Sequence, residues 1–112
     1  DAVDETKILV SIAAGISTDY VKNAIGFPCK VVRAMPNTPL LLGCGATALS
    51  RCPSVTDSEF EEVSRLFSAS GIVENLPEKS MNAVISVNGS SPAYVYFFAK
   101  AVIDSAVRQP NA

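Results

Sequence analysis

The 112-residue sequence contains no histidine and no tryptophan. Without histidine, Ser-His and Cys-His nucleophile pairs are unavailable in this stretch, which excludes hydrolases of that kind. Cys29, Cys44 and Cys52 lack any C-x-x-C spacing, so no zinc framework is legible and no metal is expected. An odd number of thiols fits reduced cysteines in a cytoplasmic protein. Charge is sparse: 18% of residues are charged, the net charge is −2, and no basic cluster occurs. Nucleic acid and anionic membrane are therefore poor partners. No apolar run approaches the roughly 20 residues of a membrane span, and Asp1–Lys7 is acidic, unlike a signal peptide. Few surface charges beside 48% hydrophobic residues suggest a surface partly covered by something else.

What is present is organised around V-V-R-A-M-P-N-T-P at 31–39. A β-branched run must stop where Pro36 cannot donate to a ladder, and Pro39 biases Thr38 away from helical geometry. The pattern predicts a strand, Lys30–Met35, delivering a stiff polar loop. Upstream, K-I-L-V-S-I-A at 7–13 reads as a strand buried on both faces. Ser17 or Thr18 then caps a helix with Tyr20, Val21, Ala24 and Ile25 on its apolar face, and Gly26 ends it. This is a compact βαβ unit with parallel strands. It brings Ala13-Ala14-Gly15 and Met35–Pro39 to one sheet edge, where open α/β sheets bind ligands. Small side chains there admit a ligand to the backbone, and the helix start offers unpaired N–H groups. Tight strand–helix packing explains the alanines equally well.

Gly43-Cys44-Gly45-Ala46-Thr47-Ala48 fits G-x-G-x-x-A, yet a phosphate-binding fingerprint must follow a strand and open a helix. Here Ala46–Leu49 is strand-like and Pro53 follows soon after, so a tight turn into another strand is expected. Thr56-Asp57-Ser58-Glu59 is a capping box, with Val55 and Phe60 as a hydrophobic staple. Phe60, Val63, Leu66 and Phe67 make that helix's apolar face, Glu61, Glu62 and Arg65 its wet face, and Gly71 its end. Ile72-Val73-Glu74 is a short strand near a sheet edge. A linker near Leu76–Lys79 leads to a short helix, Glu78–Ser86. A long helix then follows, with Ser91 as N-cap and Pro92 in its first turn. From Pro92 to Arg108 it is apolar almost all round, its charges Lys100, Asp104 and Arg108 sharing one stripe. Such a helix needs more protein around it than this stretch supplies.

Four segments carry a family resemblance: V-S-I-A-A-G at 10–15, R-A-M-P-N-T-P at 33–39, G-A-T-A-L at 45–49 and G-S-S-P-A-Y at 89–94. In this order and spacing the chain resembles pyrroline-5-carboxylate reductase over essentially its whole length. The fold implied is α/β: the distal half of a Rossmann-like dinucleotide-binding sheet, followed by a long apolar helix. Residues 1–77 would be the C-terminal half of the nucleotide domain. Residues 78–112 would be the linker and first helix of a helical dimerisation domain. The family's glycine-rich fingerprint and its S-P-G-G-T type substrate loop are not in this stretch, so the isolated 112 residues are expected to be inactive. Asn88 stands where a serine is expected, Ser86 where a glycine is, and Pro110-Asn111-Ala112 departs from the pattern.

The resemblance also implies site residues. Ile12, Ala13 and Ala14 match the loop against the nicotinamide end of NADP(H) or NAD(H). Met35, Pro36 and Asn37 match the loop bordering nicotinamide and substrate, with Thr38 the catalytic candidate. Gly89, Ser90 and Ser91 suit a substrate carboxylate at a helix N-terminus. A turn-forming role for Asn37 and Thr38, and plain capping for Gly89–Ser91, remain open beside these. The implied reaction is hydride transfer to 1-pyrroline-5-carboxylate, giving L-proline, in a homo-oligomer assembled through the Pro92–Arg108 helix. Two other readings stay open: another dehydrogenase of the same broad fold, and a non-catalytic interaction module.

Overall fold

A computed structural model describes residues 3–108. Four strands, β1 (Ile8–Ser11), β2 (Lys30–Met35), β3 (Gly45–Arg51) and β4 (Gly71–Asn75), form one mixed sheet in that spatial order. β1 is parallel to β2, with Ser11 opposite Arg33. β3 is antiparallel to β2, with Met35 opposite Ala48, and β4 is parallel to β3, with Gly45 opposite Gly71. The α/β class and the parallel βαβ opening are as expected. β2 is the buried centre, with Val31, Val32 and Ala34 fully enclosed. Among the described residues β1 pairs on one side only, with β2, and its Val10 is exposed, so burial on both faces is not met within this stretch.

Helix α1 (Thr18–Ile25) starts where the Ser17 hydroxyl accepts the Tyr20 N–H at 3.1 Å, and it ends at left-handed Gly26, φ 80°. Val21 and Ile25 pack on the core, whereas Tyr20 and Ala24 face solvent, so the buried stripe is narrower than the pattern predicts. After β2 the loop is tighter than expected. Thr38–Leu42 form one 3-10 turn, which accepts Pro39 in its first positions because no N–H is needed there. Left-handed Gly43 closes it and leads into β3, as the G-C-G reading requires.

Helix α2 (Asp57–Ser68) carries the full capping box: the Glu59 N–H donates to Thr56 Oγ1 at 3.3 Å, and the Thr56 N–H donates to Glu59 Oε2 at 2.9 Å. Val55, Phe60, Val63 and Phe67 enter the same core. Leu66 does not, being largely exposed, because one helix face is too narrow to bury it beside Val63 and Phe67. Gly71 opens β4 instead of closing α2, whose last cap is right-handed Ala69. Lys30 on β2 donates to Glu59 Oε1 at 2.5 Å. That bond, followed by the one from the Thr56 amide, holds the Glu59 carboxyl down to about 2. Because the folded value lies below the unfolded one, this stabilisation is present above about pH 4.5 and fades as pH falls towards 2. The stability gap between the native protein and Glu59→Gln, measured by urea unfolding, should therefore shrink between pH 4.5 and pH 2.5. A gap independent of pH would contradict this.

Beyond β4 the chain becomes helical: a 3-10 turn at Glu78–Ser80, α3 (Met81–Val84), a π turn at Ile85–Gly89, and α4 (Ser91–Val107). The expected single helix over 78–86 is thus broken into three tight pieces. Met81, fully buried, joins Met35 and Ala48 in a second cluster that seats α3 on the sheet. Tyr94, Phe97 and Phe98 of α4 are 68%, 77% and 71% exposed, and Lys100 pairs with Asp104 at 2.7 Å. No helix among the described residues is long and apolar enough to cross a membrane. The expected departure at Pro110-Asn111-Ala112 lies outside the described residues.

Candidate functional site

Parallel pairing of β1 and β2 sends Ile12-Ala13-Ala14 and Met35-Pro36-Asn37 off the same sheet edge. Ile12, Ala13 and Ala14 are exposed there, Met35 is buried, and Pro36 and Asn37 are half-buried. Thr38 is exposed at the head of the 3-10 turn. The edge is uncharged and, apart from Asn37 and Thr38, built of apolar groups.

The ladder between β2 and β3 ends there in an unusual way. Continuing the register by two residues would set Asn37 opposite Ala46. Pro36 has no N–H, and the Asn37 carbonyl has turned to accept the Leu40 N–H at 3.1 Å. Side chains take the backbone's place. Asn37 Oδ1 accepts the Ala46 N–H at 2.9 Å, and Asn88 Nδ2 donates to the Ala46 carbonyl at 2.7 Å and the Met35 carbonyl at 3.2 Å. The two amides join each other, Asn37 Nδ2 donating to Asn88 Oδ1 at 3.1 Å. Asn88 belongs to the π turn, so this clasp ties the end of β2, the start of β3 and the foot of α4 together.

A second polar cluster lies at the start of α1. The Thr18 N–H and hydroxyl both donate to the Glu78 carboxylate, each at 2.6 Å. Arg33 of β2, only 2% exposed, places Nη1 3.8 Å from Glu78 Oε1 and donates from Nη2 to Asn82 Oδ1 at 2.8 Å. Its buried Nε has no partner. This corrects the expectation of free N–H groups at that helix start. Glu78 holds Thr18 and Ser17 holds Tyr20, so two of the helix's unpaired donors are already satisfied.

Gly89, Ser90 and Ser91 lie where the π turn meets α4. Ser91 is not the N-cap: that position is Ser90, in right-handed geometry and without a side-chain cap bond. The Ser90 N–H and hydroxyl both donate to the Ile85 carbonyl, at 3.1 and 3.3 Å, and the Ser91 hydroxyl donates to the Val87 carbonyl. The helix start therefore continues a helical run and is not an open terminus. In the sequence Asn88 stands out only as a departure from the family pattern, and Glu78 only as the point where the linker turns into a short helix. Their partners lie 51 and 60 residues away, a separation that leaves no local pattern.

A family profile described as pyrroline-5-carboxylate reductase dimerisation matches residues 78–110. Similarity extends well beyond that segment. The Mycobacterium leprae pyrroline-5-carboxylate reductase is 41% identical over 101 residues, covering 90% of this chain and 34% of the relative. The Escherichia coli enzyme is 39% identical over 106 residues, covering 95% and 39%. The resemblance to pyrroline-5-carboxylate reductase holds. The backbone agrees: the Plasmodium falciparum pyrroline carboxylate reductase, solved with NADP bound, superposes with a TM-score of 0.87 at 33% identity. That match covers 92% of this chain and 42% of the neighbour. The chain thus spans between a third and just over two-fifths of the reductases it matches.

Proposed function

We propose that the whole protein reduces 1-pyrroline-5-carboxylate to L-proline with NADPH or NADH. The observation that carries this is agreement in both sequence and backbone with a reductase solved with NADP bound, at 33% identity and a TM-score of 0.87. The uncharged sheet edge fits a nicotinamide ring, since exposed Ile12, Ala13 and Ala14 leave the backbone approachable. When bound, the cofactor supplies the hydride, and the protein's task is alignment and exclusion of water. Ile12–Ala14 support one side of the ring, while Met35, Pro36 and Asn37 fix its border with the substrate. Thr38, exposed beside that border, holds a water or the imine proton through its hydroxyl. Gly89, Ser90 and Ser91 face the substrate carboxylate. To donate to it, either serine hydroxyl must leave its present carbonyl partner, Ile85 or Val87.

On the same reading, residues 1–77 complete a nucleotide domain and residues 78–112 open a dimerisation domain. The exposed Tyr94, Phe97 and Phe98 surface of α4 then closes a homo-oligomer, each large side chain contributing about 1.5–3 kcal/mol when covered. The location proposed is the cytoplasm, in keeping with three free cysteines among the described residues. The test is NADPH and NADH oxidation by the whole gene product with 1-pyrroline-5-carboxylate. Proline formation in step with cofactor loss is expected, and no turnover with either cofactor would reject the reading.

A further inference from the structure

We propose that Asn88 is a positioning residue: its amide fixes the loop 35–38 against the turn 89–91 and so sets donor and acceptor in register. This rests on the reductase reading given above. The β2–β3 ladder has a gap. Ala46 turns both its N–H and its carbonyl towards β2, but Pro36 and the turned Asn37 carbonyl leave neither with a backbone partner. A half-buried amide in that state needs replacement partners. Asn37 alone supplies the acceptor. The donor comes from Asn88, on an element contributed by a distant part of the chain.

A primary amide is the side chain that suits this place. Its NH2 group reaches the Met35 and Ala46 carbonyls together, at 3.2 and 2.7 Å, while its oxygen receives Asn37 Nδ2. Serine has one proton to donate and aspartate has none. Asn88 also sits in an unusual backbone: residues 85–89 form a π turn, a rare conformation that occurs often at functional positions. Gly89 follows Asn88 directly, so any movement of the clasp moves Gly89–Ser91 with respect to Met35–Thr38. In the proposed reaction these segments border the two reacting molecules, and a displacement near 1 Å there can lower turnover about a hundredfold.

The experiment uses the whole gene product as wild type, Asn88→Ala, Asn37→Ala and the double variant. Each is assayed for kcat and KM, for thermal unfolding, and for amide exchange at Ala46. Asn88→Ala is expected to lower kcat about ten- to a hundredfold, with a much smaller change in KM for either ligand. Its unfolding midpoint should stay well above the assay temperature, and exchange at Ala46 should accelerate. The loss in the double variant should fall short of the product of the two single losses, since the two amides act in one clasp. Retention of kcat within twofold in Asn88→Ala overturns the proposal and leaves the reductase reading standing. So does a kcat loss that only tracks the fraction unfolded. An inactive wild type overturns the reductase reading and the positioning role with it.

Discussion

Replacing Gly71 by alanine should unfold the β4 side of the sheet. An added Cβ would stand 2.0 Å from the Gly45 carbonyl oxygen and 2.6 Å from Gly45 N and C. Those are backbone atoms of the paired strand, so no side chain can swing aside. The residue also sits at φ +145°, which L residues rarely adopt. The first rung of the β3–β4 ladder, Gly45 opposite Gly71, must therefore open. The expected loss is on the order of 4 kcal/mol or more, a large share of a typical domain's stability. Gly26→Ala is the comparison: it too has positive φ, but nothing lies within 4 Å, so about 1–2 kcal/mol is expected. Urea unfolding of both variants checks this. Equal losses would mean that φ alone matters and the close approach does not.

The second large effect should come from Glu78→Ala. Arg33 is buried on β2, and Glu78 is the one carboxylate placed near it among the described ion pairs. Removing Glu78 strands the guanidinium with only its Asn82 bond and frees the Thr18 N–H at the start of α1. Breaking a buried pair in this way costs about 3–5 kcal/mol, and the partial exposure of Glu78 argues for the lower end. Adding Arg33→Met should recover part of that loss, because no buried charge is then left without a partner. Strictly additive losses in the double variant would show that Arg33 and Glu78 do not act on each other.

These two sites mark the boundary of what the sequence made legible. Lys30–Met35 is a strand with the expected bounds, because a β-branched run stopped by Pro36 is a short-range code. The same is true of the Ser17 cap, the Gly26 stop and the Thr56–Glu59 capping box, each decided within a few residues. Gly71 looks like a helix stop because a glycine after a helix normally caps it, whereas the close approach of Gly45 is a property of the folded sheet. At the candidate site, parallel topology alone places Ala13-Ala14-Gly15 and Met35–Pro39 on one sheet edge, and Ile12 joins them only through the family resemblance. The polar clasps do not follow from topology. Asn37 with Asn88, and Thr18 with Glu78, join residues 51 and 60 positions apart, and one sequence holds no periodicity for such pairs. Ser91 differs from its expected N-cap role for a related reason: Ser-Pro resembles a helix start, yet the π turn before it keeps the backbone helical.

The measurement that tests the account most directly is cofactor oxidation by the whole gene product, wild type beside Ala13→Trp, with 1-pyrroline-5-carboxylate as substrate. Ala13 is exposed in the loop after β1, so the indole should be tolerated by the fold while covering the edge assigned to the nicotinamide. Turnover is expected in the wild type, and in the variant a KM for NADPH raised about tenfold or more with little change in unfolding midpoint. Equal turnover and equal KM in the two proteins would contradict the placement of the cofactor at this edge.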